Sequence, residues 1–140
     1  MTEAEVARLR AALHPLDAPP RGDCWNLVEV EGLVDASSFR EAAVLVGLVP
    51  RDSGLQVLLT RRNDELRNHA GQVSFPGGRV DPGDVDAIDA ALRETTEEVG
   101  IPRAMVAPLG YLDPVATITG FRVLPVVACI ARDYVARPDP

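Results

Sequence analysis

Three glutamates near the end of one predicted helix, Glu94, Glu97 and Glu98, are the residues best suited to do chemistry in this chain. They are three and four positions apart, so their carboxylates share one side of the helix and repel one another. Glu97 and Glu98 also lie close to the helix end that Gly100 marks, where the helix dipole disfavours negative charge. A solvated acidic face tolerates that repulsion, and a divalent cation such as Mg²⁺ or Mn²⁺ removes it. The helix by itself leaves both interpretations open.

The segment just before the helix favours the cation. It reads Phe-Pro-Gly-Gly and ends at Gly77 and Gly78. A glycine pair allows close backbone approach and unusual backbone angles, so that carbonyls or N–H groups can face an ion or a phosphate. A plain tight turn is the ordinary explanation for an isolated glycine pair. A glycine pair that leads directly into an acidic helix is a more specific combination.

Strand and helix patterns predict the elements that position these residues. A surface helix over residues 3–13 comes first, and a long helix over residues 85–99 follows the glycines, with Asp84 as its N-cap. Apolar runs predict strands at 42–50, 55–62, 72–75, 107–117 and 121–131. The run at 42–50 lacks alternation, which predicts a strand covered on both faces. The pattern predicts a mixed sheet with helices against it, either α+β or a three-layer α/β/α arrangement.

The long helix has two predicted sides. At about 100° per residue the three glutamates share one arc, and an apolar stripe falls on the other side. That stripe, which we expect to pack on the sheet, consists of Val85, Ile88, Leu92 and Val99. The glutamates are therefore expected to face away from the core.

The composition of the chain limits the classes of function that it can have. The chain has 140 residues, enough for one domain with a real core, and a net charge of −7. An acidic surface disfavours sequence-independent binding to nucleic acid. The apolar runs are too short to span a bilayer, and the N-terminal helix is acidic rather than signal-like, so the cytoplasm is the expected location. Cys24 and Cys129 stand alone and form no metal or redox motif.

The glycine loop and acidic helix together resemble the signature of the Nudix hydrolases, G-x5-E-x7-R-E-U-x-E-E-x-G-U, where U is aliphatic. The second half matches closely, with Thr95 in an aliphatic position and the rest provided by Arg93, Glu94, Glu97, Glu98, Gly100 and Ile101. The first half departs from the pattern. Counting from Gly78, the first acid falls at Asp84, one residue too far from Arg93, and Asp81 is the alternative counterpart.

An upstream motif resembles the coenzyme A pyrophosphatase branch of the same family, L-L-T-x-R-(S/A)-x3-R-x3-G-x3-F-P-G-G. It matches over residues 58–78, with Asn63 where Ser or Ala is usual. The matching residues are Leu58, Leu59, Thr60, Arg62, Arg67, Gly71, Phe75, Pro76, Gly77 and Gly78. The two adjoining motifs together span Leu58 to Ile101.

The resemblance implies a Nudix-type α/β/α sandwich with a mixed sheet and a loop–helix–loop catalytic motif. It implies a Mg²⁺- or Mn²⁺-dependent enzyme that cleaves the diphosphate of coenzyme A into 3′,5′-ADP and 4′-phosphopantetheine. Glu94, Glu97, Glu98 and the carbonyl of Gly77 are the expected metal ligands, one glutamate doubling as general base, and Arg93 is expected to orient the glutamates. The expected phosphate contacts are Arg62, Arg67, Gly77 and Gly78, since arginine offers paired donors to phosphate oxygens. In the metal-free protein, Glu97→Gln would relieve repulsion.

The expected organisation is an N-terminal helix and connecting segment over residues 1–37, followed by the Nudix domain over residues 38–140. That domain is expected to be incomplete at its C-terminal end. The expected partner is a small nucleotide of the CoA type rather than nucleic acid or a membrane, with a homodimer left open. Two alternatives to CoA cleavage remain: hydrolysis of another nucleotide such as ADP-ribose, NADH or a nucleoside triphosphate, and a catalytically idle domain that binds a nucleotide.

Overall fold

A computed structural model describes residues 1–61 and 72–134 as a mixed α/β fold. The helices are α1 (Glu3–Ala12), the single-turn α2 (Leu27–Val30) and α3 (Ala87–Val99), with 3-10 turns at Ala36–Ser38 and Arg103–Met105. The strands are β1 (Arg40–Arg51), β2 (Gly54–Val57), β3 (Thr60–Arg61), β4 (Val73–Ser74), β5 (Gly77–Arg79), β6 (Val106–Tyr111), β7 (Val115–Ala116) and β8 (Phe121–Ile130). The predicted α/β architecture around a mixed sheet is confirmed.

Two long strands form the centre of the main sheet. β1 and β8 run parallel, with Ala43 opposite Leu124. β2 and β5 pair antiparallel with the free side of β1, and β6 and β7 pair antiparallel with the free side of β8. The strands β3 and β4 form a separate two-stranded ribbon. The segment over 77–79, predicted as loop, is thus a strand, and it lies directly beside β1.

The core lies between this sheet and α3. Alternate residues of β1 are fully or almost fully buried, and they pack with Leu124, Val126, Ala128 and Ile130 of β8. The intervening residues of β1, among them Val44 and Val46, are only half-buried. Both faces of the strand are therefore covered, the face toward α3 more completely than the other.

The long helix begins later than the sequence predicts. Its N-cap is Asp86, whose side chain accepts a hydrogen bond from the N–H of Asp89. Asp84, the predicted N-cap, lies two residues earlier and binds an arginine instead. The predicted end is correct, since Gly100 adopts the left-handed conformation with φ of 70° and its N–H donates to the carbonyl of Thr96.

The buried side of α3 is also different from the predicted one. Its buried residues are Ala90, Ala91, Thr95 and Val99, whereas Ile88 and Leu92 are only half-buried. At about 100° per residue, Glu94 falls between Ala90 and Ala91 on the helix circumference. The expectation that Glu94 faces away from the core is wrong, because Glu94 lies on the same side of α3 as the buried residues Ala90 and Ala91.

The N-terminal region is tied to one end of the sheet. Helix α1 has a complete capping box, in which Thr2 and Glu5 exchange hydrogen bonds. After the helix, His14 and Tyr111 exchange backbone hydrogen bonds of 2.9 Å in each direction. Arg122 of β8 donates to the carbonyl of Pro20 at 2.7 Å, which fixes the connecting segment. None of the helices in the described part of the chain is long and apolar enough to cross a bilayer.

Candidate active site

Arg93 links the loop before α3 to the helix itself. Its Nε donates to Oδ1 of Asp84 at 2.9 Å, and its Nη2 donates to Oδ2 of Asp84 at 3.0 Å. Nη2 also lies 3.2 Å from a carboxylate oxygen of Asp81 and donates to the carbonyl of Arg79 at 3.2 Å. Such paired contacts with a carboxylate fix the plane of the guanidinium. One helical side chain therefore contacts three residues that precede the helix, Arg79, Asp81 and Asp84.

Asp84 and Asp81 contribute unequally to this link. The side chain of Asp84 is 4% exposed, whereas that of Asp81 is 57% exposed. Asp84 also accepts the N–H of Asp81 at 2.7 Å. Hydrogen bonds from Arg93 lower the pKa of Asp84, and the same contact raises the pKa of Arg93. Of the two acids that the sequence left open, Asp84 makes the two-pronged, buried contact.

We predict that Asp84→Asn destabilises the protein, because it removes the shielded, two-pronged partner of Arg93 and leaves that guanidinium only its contacts with Asp81, Glu94 and Glu97. Asp81→Asn is the matched control and is expected to cost less than about 1 kcal/mol, because its contact is solvent-exposed. Urea denaturation at pH 7 measures the free energy of unfolding of both variants. The lowered pKa means that Asp84 stabilises the fold above the ordinary aspartate pKa and that this contribution disappears on acidification, so the difference from Asp84→Asn should shrink below pH 4. Equal losses for the two variants would contradict this assignment.

The other side of Arg93 faces the glutamates. Its Nη1 donates to Oε1 of Glu94 at 3.1 Å and to Oε2 of Glu97 at 3.3 Å. The Glu94 carboxylate lies over Gly78, where an added Cβ would be 2.8 Å from Oε1 and 2.9 Å from Cδ. Gly78 thus provides the space in which this carboxylate lies.

Glu98 is the most perturbed acid of the site. Burial raises its pKa to about 7, and the neighbouring Glu94 carboxylate adds to the increase. A hydrogen bond from the backbone N–H of Gly77 opposes the shift only in part. Glu94 and Glu98 are therefore adjoining carboxylates against the glycine strand, and the negative charge of the pair is incompletely neutralised by the protein.

Glu97 takes a different position. Its side chain is exposed, and the contact with Arg93 is its ion pair. Across residues 1–61 and 72–134, no group of three or more His, Cys, Asp or Glu side chains is arranged to hold a metal ion. The structure therefore brings Glu94 and Glu98 together beside Gly77 and Gly78, and it places Glu97 on the guanidinium of Arg93. Two adjoining carboxylates still fit Mg²⁺ or Mn²⁺, which commonly bind through one or two carboxylates and retain waters.

Two of the predicted substrate contacts, Arg62 and Arg67, lie outside the described residues. Sequence reasoning missed Ala90 and Ala91, which lie on the buried side of α3. It also missed the backbone carbonyl of Arg79 as a partner of Arg93. The pair Ala90-Ala91 was a usable signal, because two adjacent alanines in the middle of a helix are compatible with close packing as well as with high helix propensity.

Residues 40–138 match the family model of the NUDIX domain, and the chain belongs to that family. It is 55% identical over 97 residues to the uncharacterized Nudix hydrolase NudL of Escherichia coli strain K12, a match covering 69% of this chain and 50% of the relative. It is 52% identical over 100 residues to the NudL of Enterobacter sp. strain 638, covering 71% of this chain and 51% of that protein. The chain thus spans about half the length of the curated relatives that it matches.

Solved structures support the same fold. A Nudix hydrolase from M. smegmatis, RenU, superposes with a TM-score of 0.59 at 24% identity, covering 72% of this chain and 65% of that one. An Ap4A hydrolase of C. elegans in a binary complex gives a TM-score of 0.60 at 24% identity, covering 70% and 71%. At this level of identity the likeness concerns the fold alone.

Proposed function

We propose that the protein is a metal-dependent Nudix hydrolase that cleaves the diphosphate of coenzyme A or its derivatives into 3′,5′-ADP and 4′-phosphopantetheine or its derivative. The observation that carries the proposal is the adjoining pair Glu94 and Glu98, held against Gly77 and Gly78 while Arg93 fixes the helix to the loop. Carboxylates brought together at a cost in charge repulsion, beside an open backbone strand, form a binding site for a hard cation and a diphosphate.

Each residue has a proposed task. Glu94, Glu97 and Glu98 and the carbonyl of Gly77 are the proposed ligands of Mg²⁺ or Mn²⁺, and one of the glutamates is also the proposed general base for the attacking water. When bound, such an ion neutralises the diphosphate charge and lowers the pKa of the water. Arg93 positions Glu94 and keeps Glu97 close to the site. Gly78 leaves room for the Glu94 carboxylate, and Arg62 and Arg67 remain proposed phosphate contacts.

The choice of coenzyme A rests on the motif over residues 58–78, which resembles the CoA pyrophosphatase branch and adjoins the glutamate site through β5. We also propose that the protein acts in the cytoplasm on a small nucleotide, without nucleic acid or membrane partners, and that a homodimer is compatible with this role. The net charge of −7 supports the exclusion of nucleic acid.

A substrate comparison tests the proposal. The purified chain is incubated with CoA and Mg²⁺, and in parallel with Mn²⁺, and the products are separated by anion-exchange chromatography. We expect 3′,5′-ADP and 4′-phosphopantetheine in equal amounts, and much slower cleavage of ADP-ribose and NADH. Glu94→Gln serves as the inactive control. Cleavage of ADP-ribose without cleavage of CoA would contradict the substrate, and nucleotide binding without any turnover would indicate a binding domain.

A further inference from the structure

Trp25, the single tryptophan of the sequence, lies just before α2 and is 64% exposed, although tryptophan is on average strongly buried in folded proteins. Val28, three residues later, is 84% exposed. The N–H groups of Leu27 and Glu29 each donate to the carbonyl three residues earlier, so this stretch has about three residues per turn. Side chains three positions apart then lie on the same side. Trp25 and Val28 therefore form one apolar patch, the tryptophan surface, which is open to solvent.

The backbone under the tryptophan surface is fixed to the sheet. The side-chain amide of Asn26 donates to the carbonyl of Ala116 in β7 at 2.9 Å, and its oxygen accepts the N–H of the same residue at 2.7 Å. Cys24 and Val30 are buried with Ala116 in a small cluster apart from the main core. A surface that is already ordered loses little conformational entropy on binding, which favours affinity.

The tryptophan surface lies in an acidic stretch of the chain. The four charged residues between Arg21 and Arg40 are all acidic and all exposed: Asp23, Glu29, Glu31 and Asp35. Their charge repels nucleic acid and anionic lipid, and a second copy of the chain bound by two-fold symmetry would bring the same acids face to face. A basic partner is attracted and correctly oriented by the same charge.

The tryptophan surface is remote from the glutamate site. Four strands of the main sheet run in the order β5, β1, β8 and β7. The glutamates lie against β5, whereas Asn26 holds α2 against β7. Neighbouring strands are about 4.8 Å apart, so these two strands are separated by about 14 Å. A partner that contacts only the tryptophan surface therefore leaves the glutamate site open.

We propose that the tryptophan surface is the docking site for a segment of another protein that is apolar on one side and basic on the other. The apolar side packs on Trp25 and Val28, and the lysines or arginines contact the neighbouring acids. Tryptophan is among the residues that contribute most to binding at protein interfaces, and charges at the rim increase the rate of association. This interaction goes beyond the proposed hydrolase activity and does not depend on it.

Fluorescence titration of the full chain tests the proposal, because Trp25 is the only tryptophan and its emission moves to shorter wavelength when it leaves water. The probe is a synthetic amphipathic helical peptide of leucine and lysine, and we expect a saturable shift. Val28→Ser should weaken binding about tenfold, as the loss of one buried valine side chain implies. Glu29→Gln combined with Glu31→Gln should weaken it about threefold and reduce its salt dependence. Leu55→Ser, at an exposed apolar position of β2, is the matched control and should change nothing.

The other outcomes overturn the proposal. An equal shift with a peptide of the same composition in scrambled order would show attraction by charge alone, and an equal shift with glutamate in place of lysine would show that the acids play no part. The absence of a shift up to about 1 mM peptide would exclude this class of partner. A shift on raising the protein concentration alone, with a larger sedimentation coefficient, would place a second copy of the chain there.

Two further measurements keep the result independent of folding and of the fluorescent probe. Circular dichroism confirms that each variant folds as the wild type does. Calorimetric titration of Trp25→Ser with the same peptide should show binding at least about tenfold weaker than that of the wild type. Wild-type affinity in that variant would contradict the docking site. Since the titration needs no turnover, its outcome is separate from the test of CoA cleavage.

Discussion

Glu98→Gln should make the metal-free protein more stable and the enzyme at least about a hundredfold less active. The loss of activity follows from removing a proposed metal ligand, since even partners of such ligands are worth ten- to a hundredfold. The gain in stability follows from the structure. Glu98 is partly buried beside Glu94, and burial with that second charge raises its pKa to about 7. A neutral amide of the same shape keeps the packing and removes the cost of the charge.

The pH dependence of this gain has a definite sign. An acid whose pKa is higher in the folded protein than in the unfolded chain favours folding only while it is protonated in the fold. Its unfavourable effect therefore develops as the pH rises from about 4.5 to about 7. In the presence of EDTA at pH 8, we expect Glu98→Gln to raise stability by about 2 kcal/mol, or roughly 5 °C in Tm. At pH 4.5 the difference should nearly vanish.

Glu97→Gln is the matched control for this effect. The sequence alone predicts that Glu97→Gln relieves repulsion, but the structure pairs Glu97 with Arg93. Its amide variant should therefore show no gain in metal-free Tm. Differential scanning calorimetry of the wild type and both variants at pH 4.5 and pH 8 makes the comparison. An equal rise in Tm for both variants would show that the three glutamates repel as one cluster.

The sequence predicted most elements of this fold because hydrophobic period and turn residues are local properties. The long apolar strand at β1 and the end of α3 at Gly100 are examples. It misjudged which side of α3 is buried because large aliphatic residues were given more weight than small ones. Ala90 and Ala91 contribute little apolar area, but both are fully buried in the core, and only the packed structure shows that they lie on the side of α3 that faces the sheet.

The site was predictable in composition and not in arrangement. The glycine pair and the glutamates together favoured a cation site, but their spacing did not show that the glutamates divide into an adjoining pair and an arginine-bound third. The reason is Arg93, whose guanidinium reaches both helix and loop. Asp84 is a second example. An aspartate just before a helix is typical of an N-cap, but the carboxylate of Asp84 binds Arg93, nine residues later in the sequence.

Gly78→Ala should lower kcat/KM for CoA about a hundredfold while leaving the fold nearly as stable as the wild type. The added methyl group would lie 2.8 Å from Oε1 of Glu94, closer than atoms in contact can approach. The atom that it meets is the end of a flexible side chain, so the carboxylate moves and the backbone does not. A displacement of about 1 Å in a catalytic group is enough for a loss of this size.

The neighbouring glycines separate this effect from simple destabilisation. At Gly77 an added methyl group would lie 2.3 Å from the backbone carbonyl oxygen of Ala43, so Gly77→Ala has to force β5 away from β1 and should cost about 3 kcal/mol. At Gly83 it would meet nothing within 4 Å, and Gly83→Ala should change neither stability nor activity. None of these three glycines has a positive φ. The predicted effects therefore come from steric contacts of the added methyl group and not from backbone strain.

Thermal melts measure the stability of the three alanine variants, and steady-state kinetics measure their activity. Titration with Mn²⁺, followed by electron paramagnetic resonance, adds a measurement independent of turnover, in which Gly78→Ala should bind the ion more weakly than Gly83→Ala does. If Gly78→Ala lost stability in proportion to activity, Gly78 would serve the packing of β5, as Gly77 does. If it kept full activity, the position of the Glu94 carboxylate over the glycine strand would not be the one that catalysis uses.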